Sequence, residues 1–240
     1  MVDLFLKLKE NAALLWYEKT TYCLLCGNVS EEPVCLICQQ AYFFPNLPRC
    51  GSCGKILAET KTRCRNCETG KGPEGLDKVT CLGYYKGAWK ELVQQIKYKG
   101  QPYLIASLAE VIIPWVIRCL PPPDAVVPVP MHPDRLSQRG FNQAEALASI
   151  ISRQLAIPYQ NLLDRMKDTI PQTTLGRRQR LRNLRDAFSV KPGYSDLREI
   201  VWLVDDVVTT GSTLEECAGV LKKNGVKKVY AFCLGAGKEE

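Results

Sequence analysis

Short apolar runs alternate with helically spaced apolar positions through most of the chain after residue 78. The runs predict strands in the stretches VTCLGYYKG, AVVPVP, EIVWLV and VKKVYAFCLGAG. The helical spacing predicts helices over residues 89–98 and 104–119, and over NQAEALASIISRQLA and STLEECAGVLKKNG. Because strands alternate with helices, we expect an α/β fold built on a parallel sheet. Pro114 is expected to kink or divide the second helix.

The opening stretch, MVDLFLKLKENAALLWYEK, has leucines at helical spacing that are interrupted by Lys7, Lys9 and Glu10. It lacks the continuous apolar core and cleavage site of a signal peptide. We interpret it as a short amphipathic helix that packs on the protein or on a partner, with a membrane-surface role as the alternative. Since the chain contains no apolar run of about 18 residues, we expect no stable membrane insertion and a cytoplasmic location.

The composition and net charge of the chain indicate which class of partner it could bind. The chain has 240 residues, of which 46% are hydrophobic and 24% charged, as in ordinary globular proteins. Its net charge of +7 suits an anionic partner, either a phosphorylated metabolite or a nucleic acid. An ordinary soluble surface with a basic excess would give the same net charge. The length allows one good-sized domain and a smaller one.

Eight of the twelve cysteines form four C-x-x-C pairs in the N-terminal part of the chain. They are Cys23 with Cys26, Cys35 with Cys38, Cys50 with Cys53, and Cys64 with Cys67. This spacing aims two sulfurs at one tetrahedral ion, so the pairs predict two four-cysteine zinc sites with structural roles. Sequential pairing into two tandem ribbons is favoured over an interleaved cross-brace. A disulfide framework is disfavoured because a cytosolic chain keeps its thiols reduced.

The stretch EIVWLVDDVVTTGST places two acids, Asp205 and Asp206, where a buried strand ends. Ligands of open parallel sheets bind beyond the carboxyl ends of the strands. The next residues form a loop that opens a helix, where amide groups, hydroxyls and the helix dipole suit a phosphate. The loop consists of Val207, Val208, Thr209, Thr210, Gly211, Ser212 and Thr213. A sugar phosphate fits this pattern, with its hydroxyls bound by the carboxylates directly or through magnesium. An ordinary helix cap is the alternative.

The same run resembles the signature of the type I phosphoribosyltransferases, in which two acids follow an apolar strand and precede a Thr/Gly/Ser loop. The resemblance implies that the loop holds the 5-phosphate of phosphoribosyl pyrophosphate. It also implies that Asp205 and Asp206 bind the ribose hydroxyls.

A resemblance to the ComF family of competence-associated proteins extends over nearly the whole chain. It includes the cysteine pairs, VPVPMHPDRLSQRGFNQAEALA, PQTTLGRRQRLRNLRDAF and the acid-pair loop, in that order. It implies a double zinc ribbon over residues 21–70 and a phosphoribosyltransferase-like domain over 76–240, which follow the amphipathic helix expected over residues 1–20. Residues 68–78 are interpreted as a polar, glycine-rich linker. Ser137 stands where family members are often basic.

Residues 131–140 follow the strand AVVPVP and are expected at the same sheet edge as the aspartates. Fixed cations and backbone amides suit a pyrophosphate group, for which arginine has the right charge and geometry. The candidate residues are Met131, His132, Arg135, Arg139 and Gly140. His132 is the only histidine, which disfavours serine or cysteine hydrolase chemistry. It could donate to pyrophosphate or have a structural role.

The stretch LGRRQRLRNLR, residues 175–185, contains five arginines and no acid. They are Arg177, Arg178, Arg180, Arg182 and Arg185. Three interpretations remain open: a mobile loop that closes over pyrophosphate, a binding surface for single-stranded DNA, or a solvated helical face.

The residues and the family resemblance together imply two alternative functions. In the first, the protein binds phosphoribosyl pyrophosphate and magnesium and transfers the phosphoribosyl group to a nitrogen acceptor, with Asp205, Asp206 and Arg139 as catalytic residues. In the second, it is a non-catalytic competence protein that binds single-stranded DNA, or an adaptor that docks a competence helicase or recombination protein. The acceptor is not evident from the sequence.

Overall fold

The computed structural model describes residues 22–44, 46–58, 61–98, 103–166, 186–193 and 199–238. The helix expected over residues 1–20 and the arginine stretch at 175–185 lie outside them. None of the helices in the described ranges is both long and apolar enough to cross a membrane.

Two small ribbons come first in the described chain. They contain the short helices α1 (Leu36–Cys38) and α2 (Arg65–Glu68), with a π-helical turn, Gln39–Phe43, directly after α1. The larger helices are α3 (Gly87–Tyr98), α4 (Tyr103–Ser107), α5 (Ala109–Cys119), α6 (Pro133–Arg139), α7 (Gln143–Leu155) and α8 (Ser212–Lys223).

Within the described residues, four strands form a parallel sheet. They are β1 (Lys78–Tyr84), β2 (Ala125–Pro128), β5 (Ile200–Val207) and β6 (Lys228–Ala236), and their spatial order is β1-β6-β5-β2. Two short strands, β3 (Leu163–Arg165) and β4 (Phe188–Val190), pair with each other antiparallel. The expected parallel α/β sheet is therefore confirmed.

Alternation along β5 divides the core into two layers. Trp202 and Val204 pack with helices α3 to α5 and α7 on one face of the sheet. Val201 and Leu203 pack with α8 and the β3–β4 pair on the other face. Successive strand residues point to opposite faces, so a strand covered on both sides must be apolar at every position. The residues before Asp205 are therefore apolar without interruption because β5 is covered on both faces.

The helix expected over residues 104–119 is divided, but the break is at Leu108 and not at Pro114. Pro114 lies inside α5. The proline removes one backbone hydrogen bond. Burial of Ile112, Trp115 and Val116 against the core offsets that loss and keeps the helix continuous.

The segment interpreted as a linker, residues 68–78, is anchored to the domain that follows it. Asp77 lies 2.8 Å from both Lys222 and Lys228 and accepts the Val229 amide at 2.9 Å. Burial alone would raise the pKa of Asp77, but hydrogen bonds from the two lysines and from that amide lower it to about 2. The ion pairs fix the end of the segment beside β6.

Arg49 joins the ribbons to the sheet. Its guanidinium donates to carbonyls on the ribbon side, at Phe43, Phe44 and Leu47, and to those of Cys81 and Leu82 in β1. It also lies 4.7 Å from the centre of the Trp115 ring. A cation that satisfies several buried carbonyls makes their positions interdependent, because each carbonyl would otherwise be desolvated without a donor.

We expect Arg49→Met to lower the free energy of unfolding by about 3 kcal/mol or more, because it leaves buried carbonyls without donors. Urea denaturation measures this loss. Arg118→Met is the matched control, since Arg118 lies 4.8 Å from the centre of the same Trp115 ring but is exposed. The control should lose less than about 1 kcal/mol. Equal losses in the two variants would show that the carbonyl bonds contribute little.

Candidate functional site

The eight paired cysteines form two clusters, each containing two consecutive C-x-x-C pairs. One contains Cys23, Cys26, Cys35 and Cys38, the other Cys50, Cys53, Cys64 and Cys67, and the sulfurs of each lie within 4.8 Å of one another. The Cys26–Cys35 and Cys53–Cys64 sulfur distances are 3.8 Å and 3.6 Å. Thiolates bound to one tetrahedral zinc ion lie about 3.8 Å apart, so both clusters are consistent with structural zinc in sequential pairing.

The two clusters differ in their surroundings. All four cysteines of the second cluster are buried, and its ribbon is hydrogen-bonded to the domain through Ile56 to Gly237 and Val79 to Gly51. Cys26 of the first cluster is exposed. The first ribbon contacts the core through the edge-to-face packing of Phe43 on Trp89, with ring centres 4.9 Å apart. Cys23 and Cys38 of the first ribbon also pack in the hydrophobic cluster that includes Trp89, so both ribbons are joined to the domain and the two sites differ mainly in the exposure of Cys26.

The carboxyl ends of β2 and β5 bring the predicted site segments to one edge of the sheet. The two strands are parallel neighbours, and the Val129 amide donates to the Val204 carbonyl at 2.9 Å just beyond β2. The chain after β2 forms the candidate pyrophosphate segment, and the chain after β5 forms the candidate phosphate loop. Register between the strands therefore places both segments beside Asp205 and Asp206.

The acid pair lies at the end of β5 with its carboxylates largely enclosed. The Asp206 amide donates to Oδ1 of Asp205 at 2.8 Å. Burial, followed by the charge of Asp206, raises the pKa of Asp205 to about 7, while the charges of Lys97 and Arg165 oppose the rise. A buried carboxyl whose neighbour is also acidic retains its proton more readily. The pair therefore favours a ligand that brings hydrogen-bond donors or a cation.

Lys97 is the site residue that the sequence did not reveal. Its Nζ lies 2.8 Å from Oδ2 of Asp206, and the two side chains are 19% and 13% exposed. Burial would lower the pKa of Lys97, but the charges of Asp206 and Asp205 outweigh burial and raise it. A lysine in the last turn of a helix is common, so the sequence contains no sign that it faces a strand more than a hundred residues later.

The loop after β5 has the features expected of a phosphate cradle. The Val208 amide donates to the Gly235 carbonyl, which fixes the start of the loop. Gly211 has φ +79°, and an added Cβ would lie 2.6 Å from Pro73, so only glycine fits there. The hydroxyls of Thr210 and Ser212 are 3.0 Å apart at the first turn of α8. Ser212 is buried, whereas Thr209, Thr210 and Thr213 remain accessible, so the loop presents threonine hydroxyls and the positive end of a helix dipole.

The candidate pyrophosphate segment contains a helix that the sequence did not predict, α6. Nδ1 of His132 accepts the Asp134 amide at 3.3 Å and caps this helix, which supports the structural interpretation of His132. Met131 precedes the cap, Arg135 and Arg139 are half-buried, and Gly140 ends the helix with φ +82°. Nη1 of Arg139 donates to Oε1 of Gln143 at 3.0 Å.

The β3–β4 pair, also missed by the sequence reasoning, brings together the chain on both sides of residues 167–185. Arg165 pairs with Phe188 in the antiparallel register. Arg165 is close enough to Asp205 for its charge to lower the pKa of that carboxyl, so the β3–β4 pair lies near the acid pair. Short strands of three residues give no readable alternation.

Similarity to known proteins identifies the family to which this chain belongs. Residues 20–39 match the RecR zinc finger domain, a finger of the four-cysteine type. The chain is 34% identical over 222 residues to Competence protein F of Haemophilus influenzae, a match that covers 88% of this chain and 95% of that protein. The chain belongs to the ComF family of competence-associated proteins.

A second ComF relative and a solved structure complete the comparison. The DNA utilization protein YhgH of Salmonella typhi is 30% identical over 221 residues, covering 88% of this chain and 95% of that protein. The glutamine phosphoribosylpyrophosphate amidotransferase of B. subtilis is 17% identical, with a TM-score of 0.40 over 59% of this chain and 30% of that chain. The sequence resemblance to the ComF family is confirmed. The expected α/β domain with an N-terminal four-cysteine zinc ribbon is also confirmed.

The raised pKa of Asp205 has a consequence for the stability of this ComF protein. The folded state retains a proton up to about pH 7, whereas the unfolded chain loses it near pH 4. Folding therefore binds a proton between these values, and the contribution of Asp205 to stability falls as pH rises from about 4 to 7. We expect the free energy of unfolding of Asp205→Asn, measured by urea denaturation, to exceed that of wild type by about 1–3 kcal/mol at pH 8. The difference should be smaller at pH 5. A constant difference at both pH values would contradict the assignment.

Proposed function

We propose that this ComF-family protein binds phosphoribosyl pyrophosphate with magnesium at the sheet edge formed by β2 and β5, and that it acts in the cytoplasm. The observation that carries the proposal is the juxtaposition at this edge. The acid pair at the end of β5, the hydroxyl-rich loop that opens α8 and the arginines of α6 all lie at or beyond the carboxyl ends of two hydrogen-bonded parallel strands. Their order matches a ligand with a phosphate at one end, a ribose in the middle and a pyrophosphate at the other.

Each part of the ligand has matching residues. The loop from Val207 to Thr213 receives the 5-phosphate, the carboxylates of Asp205 and Asp206 accept the ribose hydroxyls, and Arg135 and Arg139 bind pyrophosphate. Carboxylate oxygens are the hard ligands that magnesium prefers, so the acid pair fits this ion. When bound, magnesium supplies positive charge to the departing pyrophosphate.

If the protein is a transferase, a nitrogen of the acceptor forms a bond to C1 of the ribose as the bond from C1 to the pyrophosphate oxygen breaks. Pyrophosphate leaves with the electron pair, and positive charge develops on the ribose ring. Asp205 and Asp206 lie where they stabilise that charge, and Arg139 stabilises the leaving group. Asp206 also orients the incoming nucleophile. The enclosed carboxylates make these interactions stronger than they would be in water.

A second function is favoured by the names of the relatives. Competence protein F and the DNA utilization protein YhgH are similar over most of this chain. In this alternative the ribbons and the arginine stretch bind single-stranded DNA, or dock a competence helicase or recombination protein, without catalysis. Filter binding with single-stranded DNA at increasing salt concentration tests it, because phosphate contacts make affinity fall steeply with salt.

Calorimetry with phosphoribosyl pyrophosphate and magnesium tests the leading proposal. We expect saturable binding of one ligand per chain, and weaker binding of ribose 5-phosphate, which lacks the pyrophosphate contacts. A pyrophosphate-release assay with candidate bases then tests transfer. If the protein retains its zinc and its fold but gives no heat with either ligand, the proposal is wrong.

A further inference from the structure

Lys97 and Asp206 form a buried ion pair at the ligand-facing end of β5, a place where an ion pair does not contribute to packing of the core. The paired atoms are 2.8 Å apart. Lys97 is in the last turn of α3, an element outside the two segments that the phosphoribosyl pyrophosphate signature includes. The acid pair is therefore contacted by a lysine from α3, in addition to the segments that follow β2 and β5.

Lys97 is also connected to the candidate pyrophosphate segment. Its carbonyl accepts a hydrogen bond from Nε2 of Gln143 at 3.2 Å, and Oε1 of the same Gln143 accepts one from Nη1 of Arg139 at 3.0 Å. Gln143 is buried, so these two bonds have little competition from water. The amide of Gln143 thus holds the end of α3 and Arg139 next to each other. Lys97 is therefore joined to the acid pair through its side chain and to Arg139 through its carbonyl and Gln143.

We propose that Lys97 is the residue that allows the pyrophosphate group of the ligand to lie beside the acid pair, and so sets the preference of the site for phosphoribosyl pyrophosphate over ribose 5-phosphate. This inference rests on the proposed function. Two carboxylates repel a nearby anion, and the repulsion is strong where water is excluded. The ammonium group offsets one of the two charges where the pyrophosphate would approach.

The effect of Lys97 differs between the two ligands because their charges lie in different places. Pyrophosphate is attached to C1 of the ribose, next to the acids. The 5-phosphate, which both ligands share, lies in the loop before α8. Loss of the lysine charge therefore weakens binding of the pyrophosphate-bearing ligand more. A purely structural role for Lys97 would weaken both ligands alike.

The test is calorimetry of Lys97→Gln with phosphoribosyl pyrophosphate and with ribose 5-phosphate, at low and high magnesium concentration. Glutamine retains a donor for Asp206 but removes the charge. We expect the affinity for phosphoribosyl pyrophosphate to fall at least about tenfold and that for ribose 5-phosphate to fall about threefold or less. High magnesium should restore part of the lost affinity, because the ion supplies the missing charge. Lys97→Arg should retain most of the preference.

Lys90→Met is the matched control, since Lys90 lies on the same helix and is exposed. It should bind both ligands as wild type does. Equal losses for both ligands in Lys97→Gln, or an unchanged preference, would overturn the inference while the proposed function stands. If wild-type protein binds neither ligand, the proposed function itself fails, and the inference about Lys97 fails with it.

Discussion

The double substitution Asp205→Asn with Asp206→Asn is expected to reduce the affinity for phosphoribosyl pyrophosphate by at least about a hundredfold. Each carboxylate offers charge-assisted hydrogen bonds to ribose hydroxyls, and each such bond contributes about 1.5–3 kcal/mol. Asparagine is isosteric but neutral, and its NH₂ group cannot accept. The loss should appear in calorimetry as an absence of saturable heat at ligand concentrations that saturate wild type.

The fold of the double variant should remain intact. Loss of the repulsion between the two acids stabilises the fold, and loss of the Asp206 charge beside the buried Lys97 destabilises it, so circular dichroism at the calorimetry temperature checks that the double variant is folded. Glu199→Gln is the matched control, because Glu199 lies at the other end of β5, where it is exposed and paired with Lys227. Wild-type affinity in the double variant would refute the assignment of the acid pair.

The second large effect concerns the zinc sites. We expect Cys53→Ser to lower the free energy of unfolding by at least about 3 kcal/mol and the thermal midpoint by about 6–12 °C. Cys53 is buried, and its ribbon is hydrogen-bonded to β1 and to the chain after β6. Loss of this ion should therefore loosen the domain as well as the ribbon.

Cys26→Ser is the matched comparison at the first site, where the cysteine is exposed. It should also remove one zinc ion per chain by elemental analysis, but the thermal midpoint should fall less than in Cys53→Ser. Equal losses in the two variants would mean that the first ribbon supports the domain as strongly as the second. Retention of both ions in either variant would contradict the four-cysteine ligand sets.

The acid pair also illustrates how far reasoning from sequence extends. An apolar run that ends in two acids and a Thr/Gly/Ser loop identifies the end of a central strand, because strand, charge and loop are all adjacent in the chain. The zinc clusters are readable for the same reason, since each ligand pair lies within four consecutive residues. Pro114 does not divide its helix, because burial of Trp115 and its neighbours keeps the helix continuous and no local pattern around the proline reveals that burial.

The sequence by itself determined the parallel α/β class, the ligand pairs of the two metal clusters, and the loop beside Asp205 and Asp206. Only the tertiary structure decided that Lys97 reaches Asp206, that Gln143 connects Lys97 to Arg139, and that Pro73 packs against Gly211. These contacts join residues far apart in the chain. They depend on the way strands and helices pack, and no local pattern of apolar and polar residues specifies such a distance.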